Sequence, residues 1–401
     1  MKLRNCRLIP ELSGMNPLRL ADIELDGGKI SRIQAAAGQP AGPDEFDCGG
    51  KTLLPGLFDL HAHVSLRSGR EVPEDGMNRL LDAMETVQEY TKRGITTIRD
   101  CGSTLHLAIA LRNAIGRGIV KGPRVQACGY MLGPQSMYML GRVYMTVMDI
   151  VNTEGEMLAA ARKQLALGAD FVKIYASDSA SQCAQKSPKA ILRREEIRAA
   201  VEAAEMAGSY VAAHAHSLDS IRLCLQEGVR TIEHASLIDE AAIRALKGME
   251  DVYLVPTLAV TAPKGEEETG SIKSMMRQKT MENISRAYQA GLKLGFGTDL
   301  SNGDLSGFYQ EFELRKNGCG MSSIDILLQA TRYSAQIAGL GGVTGEIREG
   351  LAADLILVDG NPDEDISVMK QKPLAVIQGG EMLIGALQSG SPQIWCWDKR
   401  S

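Results

Sequence analysis

This chain of 401 residues has little in the way of basic excess, paired cysteines, aromatic mass or long apolar runs. Lys and Arg number 44 against 49 Asp and Glu, a net charge of -5 at pH 7, so no basic field is present to hold nucleic acid. No stretch reaches membrane-spanning length, and no continuous apolar region follows Met1-Lys2-Leu3-Arg4-Asn5-Cys6, so neither a membrane partner nor a secretory leader is expected. The eight cysteines stand singly with no C-x-x-C pair. Cys48, Cys101, Cys128 and Cys224 lie in apolar or strand-like surroundings, the pattern of buried, reduced thiols in a cytoplasm. Aromatic residues make up only 4%. No G-x-G-x-x-G opens a helix after the first strand, which argues against a doubly wound dinucleotide-binding sheet. Internal repeats, low-complexity tracts and flexible linkers are also missing.

What is present is an ordinary globular composition, 44% hydrophobic and 23% charged, with 42 glycines to serve many tight connections. The length suits one barrel-sized domain with a smaller one beside it. Residues 1–55 read as short strands, with a hairpin signal at Asp26-Gly27-Gly28. From Gly56 the pattern becomes strand then helix, repeatedly. Strands are expected at Leu57–His61, Ile95–Arg99, Arg124–Gly129, Phe171–Tyr175, Tyr210–His216, Thr231–His234, Val252–Pro256 and Leu294–Asp299. Helices are expected between them, including Met77–Lys92, Glu154–Leu167, Arg194–Ala207, Leu218–Gln226 and Thr280–Gly291. Eight alternations over roughly 290 residues predict an α/β fold, a (β/α)₈ TIM barrel spanning 56–344. Strand character returns over 345–401, and the two terminal pieces are expected to join in one small β-sandwich. Trp395-Cys396-Trp397 reads as a packing or subunit-contact feature.

The chemistry concentrates at strand ends. In Phe58-Asp59-Leu60-His61-Ala62-His63, alternation at period two puts His61 and His63 on one face about 7 Å apart along the chain, able to share one cation. Lys173 sits inside the strand Phe171–Tyr175, where a buried ammonium is costly unless paired or chemically changed. His214 and His216 end the next strand, His234 the one after, and Asp299 closes Gly295-Phe296-Gly297-Thr298-Asp299. Of six histidines, all but His106 fall at strand C-termini, where barrel active sites are built.

These residues, with the flanking Thr52-Leu53-Leu54-Pro55-Gly56-Leu57-Phe58-Asp59 and Gly350-Leu351-Ala352-Ala353-Asp354-Leu355-Ile356, resemble the amidohydrolase superfamily over almost the whole chain. The likeness is closest to the imidazolonepropionase-like and prolidase-like branch of metal-dependent hydrolases. The resemblance implies two divalent ions, zinc by expectation, one held by His61, His63 and Asp299 and the other by His214 and His234. Lys173, carboxylated by CO₂, would bridge them, and a bridging hydroxide would attack a polarised carbonyl. Asp299 would act as the catalytic base and then acid. His216 lies one step further out than His214 and either contacts substrate or hydrogen-bonds a loop. Prolidase-like relatives often carry a Gly-Gly-His-Gly-Asp stretch after the third strand, whereas this chain has Gln135-Ser136-Met137-Tyr138-Met139.

The expected reaction is hydrolysis of an amide C–N bond in a small substrate, an N-acyl amino acid or dipeptide, in a carboxypeptidase- or dipeptidase-like manner. Rival readings are a cyclic-amide hydrolase or deaminase, against which Lys173 argues, and a non-catalytic metal-binding scaffold, which would be expected to lose Asp299. Tyr138 and Arg142 are candidates to orient a substrate carboxylate, with Arg67 in reserve, because an arginine can hold a carboxylate bidentately. Polar loops at Ser177–Pro188 and Thr261–Arg277 are long enough to act as lids. The partners expected are the small-molecule substrate and further copies of the chain in a homo-oligomer.

Overall fold

The structure is a computed structural model, and it describes residues 1–14, 20–38, 41–42, 45–66, 76–136, 147–178, 187–262, 272–301 and 305–385. The chain opens with β1 (Lys2–Cys6), β2 (Ala21–Asp26), β3 (Lys29–Ala35) and β4 (Glu45–Asp47), which form one sheet in the order β3-β2-β1-β4. The β2–β3 turn pairs Asp26 with Lys29 across Gly27 and Gly28, whose φ values of 53° and 80° are those a two-residue hairpin needs. β5 (Thr52–Pro55) belongs to a different sheet and leads directly into the barrel.

The barrel begins with β6 (Leu57–Ala62), β7 (Ile95–Asp100) and β8 (Arg124–Ala127), paired in parallel. The third barrel position continues as β9 (Met131–Gly133), with β10 (Met148–Ile150) alongside; Gly129, at φ 73°, breaks the run between β8 and β9. Then follow β11 (Val172–Tyr175), β12 (Val211–Ala215), β13 (Thr231–His234) and β14 (Tyr253–Val255), again all parallel. The eighth position differs from the regular strand expected at Leu294–Asp299. Residues 294–300 fill the slot but form only bridges, Leu254 with Leu294 and Ala62 with Leu300. They close the ring with three backbone bonds: Gly295 N–H to Leu254 O (2.8 Å), Leu60 N–H to Phe296 O (2.8 Å) and Asp299 N–H to His61 O (2.7 Å). Two glycines and a left-handed Asp299 (φ 56°) prevent a continuous ladder there. On the other seam, Asp170 N–H reaches Ala127 O at 2.8 Å.

Helices cover the barrel. Gly76–Lys92 buries Ala83, Val87 and Tyr90 against it, and Arg194–Met206 buries Ile197, Ala200, Val201 and Ala204. Several start on a side-chain cap that satisfies a free N–H: Thr153 caps Glu154–Ala166, Ser217 caps Leu218–Gln226 and Asp239 caps Glu240–Leu246. The helix Ile272–Gln289 begins earlier than the sequence suggested, so residues 272–277, expected in a loop, are helical.

After the barrel, β15 (Leu355–Val358), β16 (Ala375–Gln378) and β17 (Glu381–Ile384) join β5 in a second sheet, ordered β17-β16-β15-β5. The two terminal sheets share one core, in which Leu3, Ile23, Leu25 and Ile30 meet Leu53, Leu355, Leu357 and Ile377. Arg7 grips Asp363 with two bonds of 2.9 and 2.7 Å, tying the chain's beginning to its end.

Candidate active site

The strand registers set which side chains face inward. On β6 these are Asp59 and His61, and His63 follows immediately after the strand. Asp59 is fully buried and accepts three hydrogen bonds, from His61 N–H (3.1 Å), Thr298 N–H (3.0 Å) and Thr298 Oγ1–H (2.6 Å). It therefore pins the eighth segment to the first strand. Burial pushes its carboxyl up to about 7, against the pull of the Thr298 hydroxyl.

His61 places Nδ1 2.8 Å from Glu233 Oε2 and Nε2 3.6 Å from Asp299 Oδ1. His63 places Nδ1 2.9 Å from Gly102 O and Nε2 3.2 Å from Asp299 Oδ1. A carbonyl and an ionised carboxylate only accept, so in both rings Nδ1 carries a hydrogen; His61 Nε2 then presents its lone pair towards Asp299, while His63 Nε2, at hydrogen-bond distance, donates to that carboxylate a proton that a cation would displace. The Gly102 carbonyl is itself fixed, because Asp100 accepts from Gly102 N–H (3.1 Å), Ser103 Oγ–H (2.6 Å) and Val64 N–H (2.8 Å).

Facing this trio is a second cluster. His214, His216 and His234 have ligand atoms within 4.8 Å of one another, as do His61, His63 and Asp299. The rings of His61 and His234 are 4.9 Å apart and join the two groups. His214 Nε2–H points to Asp178 O at 3.3 Å, which leaves Nδ1 bare, and its ring stacks on Tyr175 at 4.1 Å. His234 Nδ1 bonds Thr257 Oγ1 at 2.7 Å, while its Nε2 is buried without a partner. His216 bonds Ser236 Oγ through Nδ1 at 2.8 Å and stacks on His234 at 4.6 Å. Lys173 is 1% exposed, and its Nζ has no hydrogen-bond partner.

His234 arrives by an unusual route. Register pairs His214 with Glu233 and Ala215 with His234, so alternation alone would aim Glu233 into the barrel and His234 away from it. The left-handed φ of 68° at His234 ends the strand and turns its ring inward. Asp299, with a φ of 56°, enters the same way. Two of the predicted ligands thus sit on strained backbone, which is common where a site over-determines geometry.

Burial pushes His61 and His216 down to about 4 and holds His214 and His234 well below the ordinary range, so these four imidazoles are neutral at neutral pH, the form that binds cations. Burial would lower His63 too, but its hydrogen bond to Asp299 outweighs that and raises it. Burial would raise Asp299, yet the neighbouring His61 and His63 keep its carboxyl below the usual range. Bare nitrogens on His61 and His214, a His63 Nε2 whose proton a cation would displace, an ionised Asp299, and orphaned polar atoms on His234 and Lys173 together fit a pair of divalent cations. A third group with ligand atoms within 4.8 Å, His61, Cys101 and Glu233, is of another kind. Burial raises the Cys101 thiol to about 12, and both Glu233 oxygens are already engaged.

Residues 52–383 match the model of the Amidohydrolase family. The chain belongs to that family. It is 26% identical over 381 residues to the ochratoxinase of Aspergillus niger, the match covering 83% of this chain and 76% of that protein. It is 22% identical over 409 residues to the imidazolonepropionase of Hyphomonas neptunium, covering 92% and 96% of the two. Among solved structures it resembles a Xaa-Pro dipeptidase with methionine bound in the active site, with a TM-score of 0.83 and 28% identity, covering 96% of this chain and 99% of that one. This amidohydrolase is accordingly a hydrolase on a TIM barrel.

The structure brings His61, His63, Lys173, His214, His216, His234 and Asp299 to one end of the barrel. Tyr138, Arg142 and Arg67, most of the two lid candidates and the Trp395-Cys396-Trp397 tail lie outside the described residues. Sequence reasoning passed over Glu233, Arg99, Asp59 and Asp100, which hold the ligands in place. The available signal was alternation, since charged residues at inward positions of apolar strands need a partner.

Proposed function

We propose that this amidohydrolase cleaves the amide C–N bond of a small substrate bearing a carboxylate, an N-acyl amino acid or dipeptide, with two zinc ions and a carboxylated Lys173. The observation that carries the reading is Asp299, whose Oδ1 lies within 3.6 Å of Nε2 of both His61 and His63 while its side chain stays 24% exposed in an otherwise buried cluster. His61, His63 and Asp299 would hold one ion, and His214 and His234 the other, with the Lys173 carbamate between them. When bound, the ions supply a Lewis acid for the carbonyl and a water acidic enough to ionise near neutral pH. Asp299 takes the proton from the attacking water and delivers it to the leaving nitrogen, reachable from solvent on one side and from the histidines on the other. The buried imidazoles of His61, His214, His216 and His234 stay neutral and donate no competing proton. His216, whose Nδ1 is bonded to Ser236, is assigned to substrate contact through its other ring nitrogen.

The carboxylate-bearing substrate is supported by the solved dipeptidase, which holds an amino acid in its active site. Arg142 and Tyr138 are assigned to that carboxylate. The setting proposed is cytoplasmic and homo-oligomeric; among the described residues no helix is long and apolar enough to cross a membrane. The test is a zinc-loaded screen of N-acyl amino acids, dipeptides, cyclic amides and lactones. Turnover of carboxylate-bearing amides, with Arg142→Lys raising KM for them and not for their amidated analogues, is the expected result. A preference for neutral cyclic amides would move the assignment to an imidazolonepropionase-like reaction.

A further inference from the structure

Beneath the cluster, inside the barrel, lies a buried ion pair that reaches the site through one ligand only, His61. Arg99 and Glu233 are both 0% exposed. Arg99 donates Nη2–H to Glu233 Oε1 (2.5 Å), Nη1–H to Thr231 Oγ1 (3.0 Å) and Nε–H to Leu60 O (2.6 Å). Thr231 Oγ1–H donates to the same Glu233 oxygen at 2.7 Å, and the guanidinium carbon lies 5.3 Å from the centre of the Phe171 ring. The other carboxylate oxygen, Oε2, faces His61 Nδ1 at 2.8 Å.

We propose that Glu233, clamped by Arg99, is the positioning residue that fixes the tautomer and pose of His61, and so sets the affinity of the metal position formed with His63 and Asp299. Arg99 does not deprotonate, so the oxygen it grips must accept. The second oxygen is then free to accept only from His61, and a buried imidazole that donates from Nδ1 has its lone pair at Nε2, on the side of Asp299. Burial favours the neutral acid of Glu233, but Arg99 overrides it and holds the carboxyl far below its ordinary range. Arg99 also bonds the carbonyl of Leu60, the residue before His61, so one guanidinium steadies both the backbone and the ring partner of that ligand. His214 and His234 have other partners, Asp178 O and Thr257 Oγ1, so the control falls on one of the two metal positions.

A Glu233→Gln side chain sharpens the test, because an amide has a single acceptor oxygen. Arg99 claims that oxygen, the NH₂ group turns to His61, and the ring must then accept at Nδ1 and carry its hydrogen at Nε2, blocking the lone pair the metal needs. The inference rests on the metal-centre part of the reading above. Its tests read proton and metal positions instead of turnover, so the substrate class can fail without touching it. The first measurement is ¹⁵N NMR of histidine-labelled, metal-free protein, with the His61 signals assigned by their loss in His61→Asn. Hydrogen at Nδ1 is expected in the wild type and at Nε2 in Glu233→Gln; a wild-type His61 protonated at Nε2 overturns the proposal even if no variant folds. The second is a zinc titration against a competing chelator. Glu233→Gln is expected to weaken one of the two sites about 10–100-fold and to spare the other, with partial recovery in Glu233→Asp. The paired variant Arg99→Met/Glu233→Gln removes both charges together and frees the amide to turn its oxygen to His61, so it is expected to regain part of the affinity that Glu233→Gln loses, which simple misfolding would not allow. Equal loss at both sites in Glu233→Gln, or no loss at either, refutes the proposal.

Discussion

Asp299 occupies a left-handed backbone conformation, φ 56°, that aspartate tolerates better than most residues but that still costs on the order of 1 kcal/mol. Asp59 holds Thr298 by both its amide and its hydroxyl, which keeps the next residue in that pose. Asp299→Asn keeps the shape and removes the base. It is expected to lower kcat at least about a hundredfold while elemental analysis still finds both metals. Near-normal turnover at full metal content would mean another residue moves the proton. Lys173 poses a different test, because its Nζ is buried with no hydrogen-bond partner among the described residues. A carbamate formed there gains two oxygens able to span two cations, which a free amine cannot do. Lys173→Ala is expected to lose activity and to hold fewer than two metals per chain, and short carboxylic acids added to it should restore part of both. Full binuclear loading of the variant without any added acid would remove the bridging role.

The elements explain which of these residues were legible in the sequence. Lys173 and His214 follow plain period-two alternation on regular parallel strands, and His61 and His63 keep that alternation although the register of β6 shifts and His63 lies just past its end, so their shared face could be read directly. His234 and Asp299 were legible only as residues at strand ends. Their entry depends on positive φ values that alternation does not encode, and on β13 alternation favours the neighbour, Glu233. Arg99 and Glu233 went unnoticed because each looks like an ordinary charged residue until the register sets one against the other. The eighth strand read as regular, yet its glycines let the segment lie directly against β6 instead of joining a ladder. A Cβ on Gly297 would sit 2.9 Å from Val255 Cγ1, 3.0 Å from His61 Cβ and 3.2 Å from His61 N. Gly297→Ala is therefore expected to push the closing segment off β6, costing about 1–3 kcal/mol and displacing His61. Denaturant unfolding and zinc affinity should both fall. Gly155, whose Cβ position meets nothing within 4 Å in the helix Glu154–Ala166, is the control. Gly155→Ala should be neutral or slightly stabilising, with zinc binding unchanged. Equal zinc affinity in Gly297→Ala and the wild type would show that the close approach of strand eight does not position the ligand.

At the scale of the whole molecule, the joint between barrel and terminal sandwich is the strand pair β5–β15, buried on both faces. Leu53, Leu355 and Leu357 point into the sandwich core, while Leu54, Ile356 and Val358 point into the barrel core. The run Leu355-Ile356-Leu357-Val358 is continuous and apolar for that reason, since a strand covered on both sides has no polar face. Gly56 N–H bonds Asp354 O at 2.8 Å and Leu57 N–H bonds Gly94 O at 2.9 Å, so the joint passes straight into the strand that carries His61. Truncating the two faces separately should give different results. Leu355→Ala and Ile356→Ala each remove a side chain no more than 1% exposed, and each is expected to cost about 2–5 kcal/mol. Hydrogen exchange should tell them apart. Leu355→Ala should speed exchange in β1–β3 and leave the barrel strands protected, because only the sandwich loses packing. Ile356→Ala should speed exchange in β6 and around Gly94, whose Cβ position lies 3.0 Å from Ile356 Cγ2, and should weaken zinc binding through β6. If both variants open the sandwich and the barrel to the same extent, the two cores unfold as one cooperative unit and the joint does not separate them.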